Sequence, residues 1–250
     1  ILNTLNIMKT YQTEQIRNVV LTGNSGSGKT TFAESMLFNG GVIDRRGNVE
    51  NKNTTSDYNE IEHENENSIF STVLYSELNG HKINIIDTPG LDDFVGGVVS
   101  AMHVSDTCLM MVSAHNGVEV GTEIHFRHSD AIGKAVGFVV NGVDHDKSNF
   151  DKAVVLMKER FGHNVVLVQF PVNEGTGFNS VVDVIKMKMY KYPANGGKPE
   201  ILDIPVEHKD RADELHNELV EKAAENDEGL MELFFENDSL TEEEMRKGNR

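Results

Sequence analysis

One eight-residue stretch limits the folds open to this chain more than any other. Gly23-Asn24-Ser25-Gly26-Ser27-Gly28-Lys29-Thr30 satisfies the spacing G-x-x-x-x-G-K-[ST] in full. It follows a short apolar run, Arg17–Thr22, and opens a helix that runs from Lys29 to Phe38 before Gly40-Gly41 stops it. Strand, glycine-rich turn and helix in that order are the setting in which such a loop wraps an anion. Glycines let main-chain N–H groups turn inward, and the helix start adds partial positive charge. In such loops the lysine, here Lys29, reaches the β- and γ-phosphates of a nucleotide, and the next hydroxyl, here Thr30, reaches Mg²⁺. Thr31 and the loop residues Asn24 to Gly28 complete the candidate phosphate-binding set.

A second turn supports the first. Ile85-Ile86-Asp87-Thr88-Pro89-Gly90 ends an apolar strand in an acid. With a phosphate loop in the same chain, such an aspartate holds Mg²⁺, and Gly90 can bring its N–H to the γ-phosphate without a side chain in the way.

The remaining pattern alternates. Ile69–Leu78 and His81–Ile86 read as strands joined by the hairpin pair Asn79-Gly80. Helices are expected at Phe94–His103, Glu119–Ile132 and Asn149–Phe161, with strands at Thr107–Ser113, Ala135–Val140 and Asn164–Gln169. Strands apolar on both faces, alternating with helices, predict an α/β fold: a mostly parallel sheet covered on both sides, with the His81 hairpin as its antiparallel edge. Gly41–Glu66 is polar and without clear periodicity, a loop of a length that is usually functional or mobile. Beyond residue 170 come the loop Pro171–Gly177, an apolar segment Val181–Tyr190, a turn region Tyr192–Lys198 and acidic helices. Ala212, Leu215, Leu219 and Ala223 form a core-facing stripe, Leu230, Leu233 and Phe234 start another, and Thr241 with Glu244 fits a capping box.

Charge and composition narrow the function. A formal net charge of −17 argues against coating nucleic acid by charge and against sequence-specific DNA binding, while leaving a local ribonucleoprotein contact open. The acid in Glu207–Glu244 reads as a solvated helical face. No apolar run approaches the roughly 18 residues needed to span a bilayer. Met8 is a candidate start, with Ile1–Ile7 upstream. The single cysteine, Cys108, reads as a buried thiol in a reducing, cytoplasmic setting. His125 and His128 share a helix face but lack a third ligand, so both read as surface or partly buried residues.

GSGKTT, GGVIDRRGNVE, HKINIIDTPG, DFVGG and GVEVGTE together resemble the translational GTPases, most closely elongation factor G, whose insert VVDVIKMKMY and ENDEGLMELFFENDSLTEEEM also resemble. The resemblance covers Thr13 to Lys247. It implies a P-loop GTPase three-layer sandwich with a smaller α+β insert subdomain: an N-terminal extension at 1–14, a GTP-binding domain at 15–163 and the insert at 164–250. It also implies GTP/GDP and Mg²⁺ as ligands, the ribosome as partner and no membrane. Ser68 then takes the place of the first switch's Mg²⁺-binding threonine, joining Thr30 and Asp87 as metal ligands. Asn141 and Asp144 take the two ends of the guanine-reading N-K-x-D motif. The switches fall at Asn53–Ser68 and Asp87–Gly97.

Four departures from the family pattern matter. Leu91 stands where the family's catalytic histidine stands, so no catalytic residue is assigned; Asp92 beside it is a candidate substitute. Gly142 replaces the lysine of the guanine motif, which predicts weaker and less selective base binding. Gly26 replaces an aspartate. The chain stops about where the last core strand would begin, so it reads as a fragment or as the product of a truncated gene. The expected activity is that of a translocation factor's GTP-binding domain. The alternatives are a switch with little or no hydrolysis, a ribosomal protection protein of the same family, and a phosphate-loop ATPase outside translation.

Overall fold

Val19, Val20 and Leu21 lie in β1 (Ile16–Gly23), the strand that leads into the glycine-rich loop. Their side chains alternate between two apolar layers, which is why this strand needs no polar face. The computed structural model describes residues 9–194 and 197–249. Ile1–Met8, including the candidate start, and two residues of the Tyr192–Lys198 turn lie outside the described residues. Two compact units are present: residues 1–112 with 119–139, and residues 113–118 with 140–250.

The first unit carries α1 (Lys29–Asn39), α2 (Glu60–Asn65), β2 (Thr72–Leu78), β3 (His81–Asp87), α3 (Val95–Val104), β4 (Thr107–Ser113), α4 (Val120–Ala131) and β5 (Ala135–Asn141). The sheet order is β2-β3-β1-β4-β5. β1 pairs in parallel with β3 and β4, and β2 closes the edge antiparallel to β3. The hairpin turn Asn79-Gly80 has positive φ at both residues, +48° and +79°, as the pair predicted. One layer packs Val20, Ile86, Cys108 and Met110 against Val98, Ala101 and Met102 of α3 and Phe126 of α4. The other packs Leu21 and Ile85 against Ala33 and Leu37 of α1. Helices therefore cover both faces, and the expected three-layer α/β fold is present.

Two boundaries differ from the sequence expectation. β2 begins at Thr72 rather than Ile69, because the N–H groups of Ile69 and Phe70 both donate to the Glu62 carboxylate at 3.0 Å and are lost to the ladder. The Gly41–Glu66 stretch is not wholly irregular: it holds α2, opened by a capping box between Asn59 and Glu62.

The second unit holds α5 (Phe150–Phe161), then β6 (Gln169–Pro171), β7 (Ser180–Asp183), β8 (Lys188–Lys191) and β9 (Glu200–Leu202) in an antiparallel sheet of that order. Three helices follow: α6 (Val206–Glu225), α7 (Glu228–Asn237) and α8 (Glu242–Gly248). The strand expected at Asn164–Gln169 starts only at Gln169; its valines mimic a strand, but the ladder to β7 begins with Gln169 opposite Asp183. The apolar segment Val181–Tyr190 is two strands that reverse around Met187, at φ +51°. Val220, Ala223, Leu230 and Met245 form this unit's helical core. Ala212 and Leu219 are also buried, and Thr241 with Glu244 forms the expected capping box.

Candidate functional site: a phosphate loop and its switches

The glycine-rich loop joins β1 to α1 in the order the motif required. Gly23, Gly26 and Gly28 take φ of +130°, +75° and +91°, which residues with side chains rarely adopt. Gly28 caps α1, so the first helical residues are Lys29 and Thr30. Lys29 is 5% exposed, and its Nζ donates to Gly23 O at 3.0 Å and Asn24 O at 2.9 Å. Burial pulls its pKa down to about 8, against the opposing pull of Asp87 and Asp57. A cation held at a cost of this kind is poised for an anion.

The second turn lies directly on this loop. A Cβ built on Gly90 would collide with Lys29 Nζ and come within 2.6 Å of Ser25 N and 2.7 Å of Ser25 Cα. Two of those three obstacles are backbone, so only glycine fits. Leu91, 38% exposed, follows at the start of a short 3₁₀ turn, Asp92–Phe94.

Beside Lys29, hydroxyls and carboxylates converge. Thr30 Oγ1 donates to Asp87 Oδ2 at 2.9 Å and lies 3.2 Å from Ser68 Oγ. Ser56 Oγ also donates to Asp87 Oδ2, at 2.8 Å, and buried Asp57 stands close by, bonded to Ser68. Burial pushes Asp87 up to about 6, opposed by hydrogen bonds from Ser56 and Thr30 and by the Lys29 charge. Asp87 Oδ1 is buried with no partner. An orphaned carboxylate oxygen beside two hydroxyls is a hard-oxygen donor set that fits Mg²⁺. Among the described residues, no three His, Cys, Asp or Glu side chains form a metal cluster, so such a site depends on the hydroxyls.

Residues outside the motifs hold the segment from Gly47 to Ser68 in place. Glu34, 1% exposed on α1, accepts from Gly47 N at 2.6 Å and Thr55 N at 2.5 Å. Ser25 Oγ donates to Asn67 Oδ1 at 2.6 Å, next to Ser68. These contacts, with Ser56, Asp57 and Glu62, were not read from the sequence; the Asn59-x-x-Glu62 capping box was the one local signal available. Glu34→Ala strips acceptors from two amides and is expected to lower stability by about 3 kcal/mol. It should also speed hydrogen exchange across residues 44–57, which mass spectrometry reads.

His125 corrects the expectation of a surface or partly buried histidine. It is 0% exposed, and its Nδ1 accepts from Gly23 N at 3.1 Å. Burial, then the Lys29 and His128 charges, lower its pKa to about 4. Between its ordinary 6.5 and 4, the unfolded chain takes up a proton that the folded chain refuses, so this group's stability is lost as pH falls. Asp87 acts oppositely: its folded pKa is raised, so it stabilises below 3.8 and loses that contribution as pH rises through 6. The two effects are each about 3 kcal/mol and nearly cancel. Asp87→Asn removes one of them, so from pH 6.5 to pH 4 its urea-melt stability should fall by about 3 kcal/mol more than that of wild type.

The second unit holds the Asn141–Asp144 turn. Asn141 ends β5 and its carbonyl accepts from Ala114 N at 2.8 Å. Gly142 takes φ +73°, Val143 is buried, and Asp144 is exposed. Val143 O accepts from Gly175 N at 2.8 Å and from Ser148 Oγ at 2.9 Å. Thr176 hydrogen-bonds Asp146, and Glu174 accepts from Phe150 N at 2.8 Å. The loop after β6 thus braces this turn, a role its sequence did not signal. Elsewhere Cys108 is buried against Thr22, with its thiol pushed up to about 11 by burial, so it is inert. Among the described residues no helix is long and apolar enough to cross a membrane.

Comparison with known proteins agrees with this geometry. Residues 14–240 match the family model described as the elongation factor Tu GTP binding domain. An elongation factor G-like protein of Thermotoga maritima is 32% identical over 234 residues, 94% of this chain and 33% of that protein. A crystal structure of a protein from Thermus thermophilus superposes with a TM-score of 0.86 at 32% identity, covering 94% of this chain and 35% of the other. The chain therefore spans about a third of the length of the relatives it matches. The resemblance drawn from the motifs holds: the chain belongs to the elongation factor Tu GTP-binding domain family, in its elongation factor G-like branch.

Proposed function

We propose that this chain binds GTP and GDP with Mg²⁺ as the switch domain of a cytoplasmic translation factor that acts on the ribosome during translocation. In this reading Asn24 to Thr31 cradle the phosphates, Lys29 faces the β- and γ-phosphates, and Gly90 meets the γ-phosphate. Thr30, Ser68 and Asp87 hold Mg²⁺, which would neutralise phosphate charge when bound. Asn141 and Asp144 read the guanine edge: a carboxylate there accepts two hydrogen bonds that adenine cannot donate. Residues 15–163 act as the GTP-binding domain and 164–250 as the insert. One observation supports this above the others: Asp87 Oδ1 is buried unpaired, while Oδ2 of the same carboxylate accepts from Thr30, whose hydroxyl also meets Ser68, next to a lysine already inside the loop. Titration of the chain with labelled GTP, GDP and ATP in Mg²⁺ tests it. GTP is expected to bind in the micromolar-to-millimolar range and ATP at least about tenfold more weakly; equal affinity for ATP would remove the guanine assignment.

Leu91 favours a second reading, a switch that binds GTP and hydrolyses it slowly or not at all. A leucine side chain has no group to orient an attacking water.

A further inference from the structure

α4 seats the phosphate loop at two points that the motif does not contain. Its second residue, Gly121, lies so close to the loop that a Cβ there would come within 2.5 Å of Asn24 Oδ1 and 3.3 Å of Asp92 Oδ1. One turn later, His125 Nδ1 accepts the Gly23 N–H at 3.1 Å. Gly23 is the residue at which β1 stops and the loop begins, and it has no freedom in the other direction. Its φ is +130°, and a Cβ on it would collide with Met111 O. Because Gly23 N is the donor, Nδ1 of His125 carries no proton. The imidazole is neutral with its hydrogen on Nε2, and Nε2 is buried without a partner. A residue kept for packing alone would not leave a polar atom stranded there, since that costs about 1–3 kcal/mol. What the imidazole gives in return is one acceptor at the hinge of the cradle.

We propose that His125 is a positioning residue for nucleotide binding: its Nδ1 fixes the Gly23 amide, and so sets where the loop amides and the Lys29 ammonium point. This rests on the reading of the loop as a nucleotide cradle, and the controls separate the two. Asparagine places an acceptor oxygen the same number of bonds from Cα as Nδ1, whereas leucine fills much of the volume without an acceptor. Affinity of the full chain for fluorescent GDP and GTP in Mg²⁺ is to be measured for wild type, His125→Leu, His125→Asn and Lys29→Ala. The expected result is at least tenfold weaker binding in His125→Leu, binding within threefold of wild type in His125→Asn, and collapse in Lys29→Ala. If Lys29→Ala collapses while His125→Leu binds like wild type, the positioning role is wrong and the cradle stands. Equal weakening in the leucine and asparagine variants also overturns it, because the acceptor is then not what matters. If Lys29→Ala binds normally, the cradle reading fails and this inference fails with it. Should His125→Leu not fold, ¹⁵N NMR of the wild-type imidazoles decides. An unprotonated Nδ1 whose resonance moves on adding GDP more than that of His128 supports the role, and an unmoved one overturns it.

Discussion

Lys29→Ala is expected to weaken GTP and GDP binding by about 10³-fold while changing the stability of the free chain by less than about 2 kcal/mol. The two halves of that result have separate causes. In the free chain the ammonium is buried, and its pKa of about 8 records a desolvation cost that Asp87 and Asp57 only partly offset. Its bonds to Gly23 O and Asn24 O return some of that cost, so removal is close to neutral. A bound phosphate reverses the balance. It supplies the opposite charge at short range inside a site of low dielectric, and no other cation lies in the loop's own sequence to replace Lys29. Equilibrium titration with a labelled nucleotide, alongside thermal melts of both proteins without ligand, separates the effects. A large drop in melting temperature would mean that the lysine is structural instead.

Leu91→His is expected to raise single-turnover GTP hydrolysis in the presence of ribosomes by about 10²–10⁴-fold. The position is well placed for the change. Leu91 follows Gly90, which sits on the phosphate loop, and is 38% exposed at the start of a short helical turn, so an imidazole can be admitted without repacking the core. Asp92 is the competing candidate for the same task. Its Oδ1 lies 3.3 Å from where a Cβ of Gly121 would sit, on the side of Asn24. If wild type already hydrolyses GTP rapidly and Asp92→Ala abolishes that, the acid has taken over and the histidine should add little.

The parts of the site that could be read in the sequence are those built from consecutive residues. Gly23 to Thr30 and Asp87 to Gly90 carry their geometry in their own backbone, so eight and four residues were enough. The hairpin Asn79-Gly80 and the cap at Thr241 are local in the same way. What escaped was long-range. Glu34 looks like an ordinary helical acid, and Glu62 like one acid in an aperiodic loop, until tertiary structure brings main-chain amides to them. His125 looks like one of ten histidines until α4 meets the end of β1. The misplaced strand at Asn164 failed for the opposite reason. A run of valines has β propensity wherever it lies, and only a partner decides which residues join a ladder.

The Glu34 anchor has a consequence for how the segment between α1 and α2 can vary. Gly47 and Thr55 are moored to one carboxylate, and between them Asn48 N donates to Asn53 Oδ1 at 2.8 Å and Lys52 N to Val49 O at 3.0 Å. The six residues from 48 to 53 form a closed bight whose two ends are pinned independently of its contents. Peptide tags or spectroscopic labels spliced into that bight should leave Ser56 and Ser68 where they are. The same graft placed after Thr55 would pull the Ser56 hydroxyl away from Asp87 and the Ser68 hydroxyl away from Thr30.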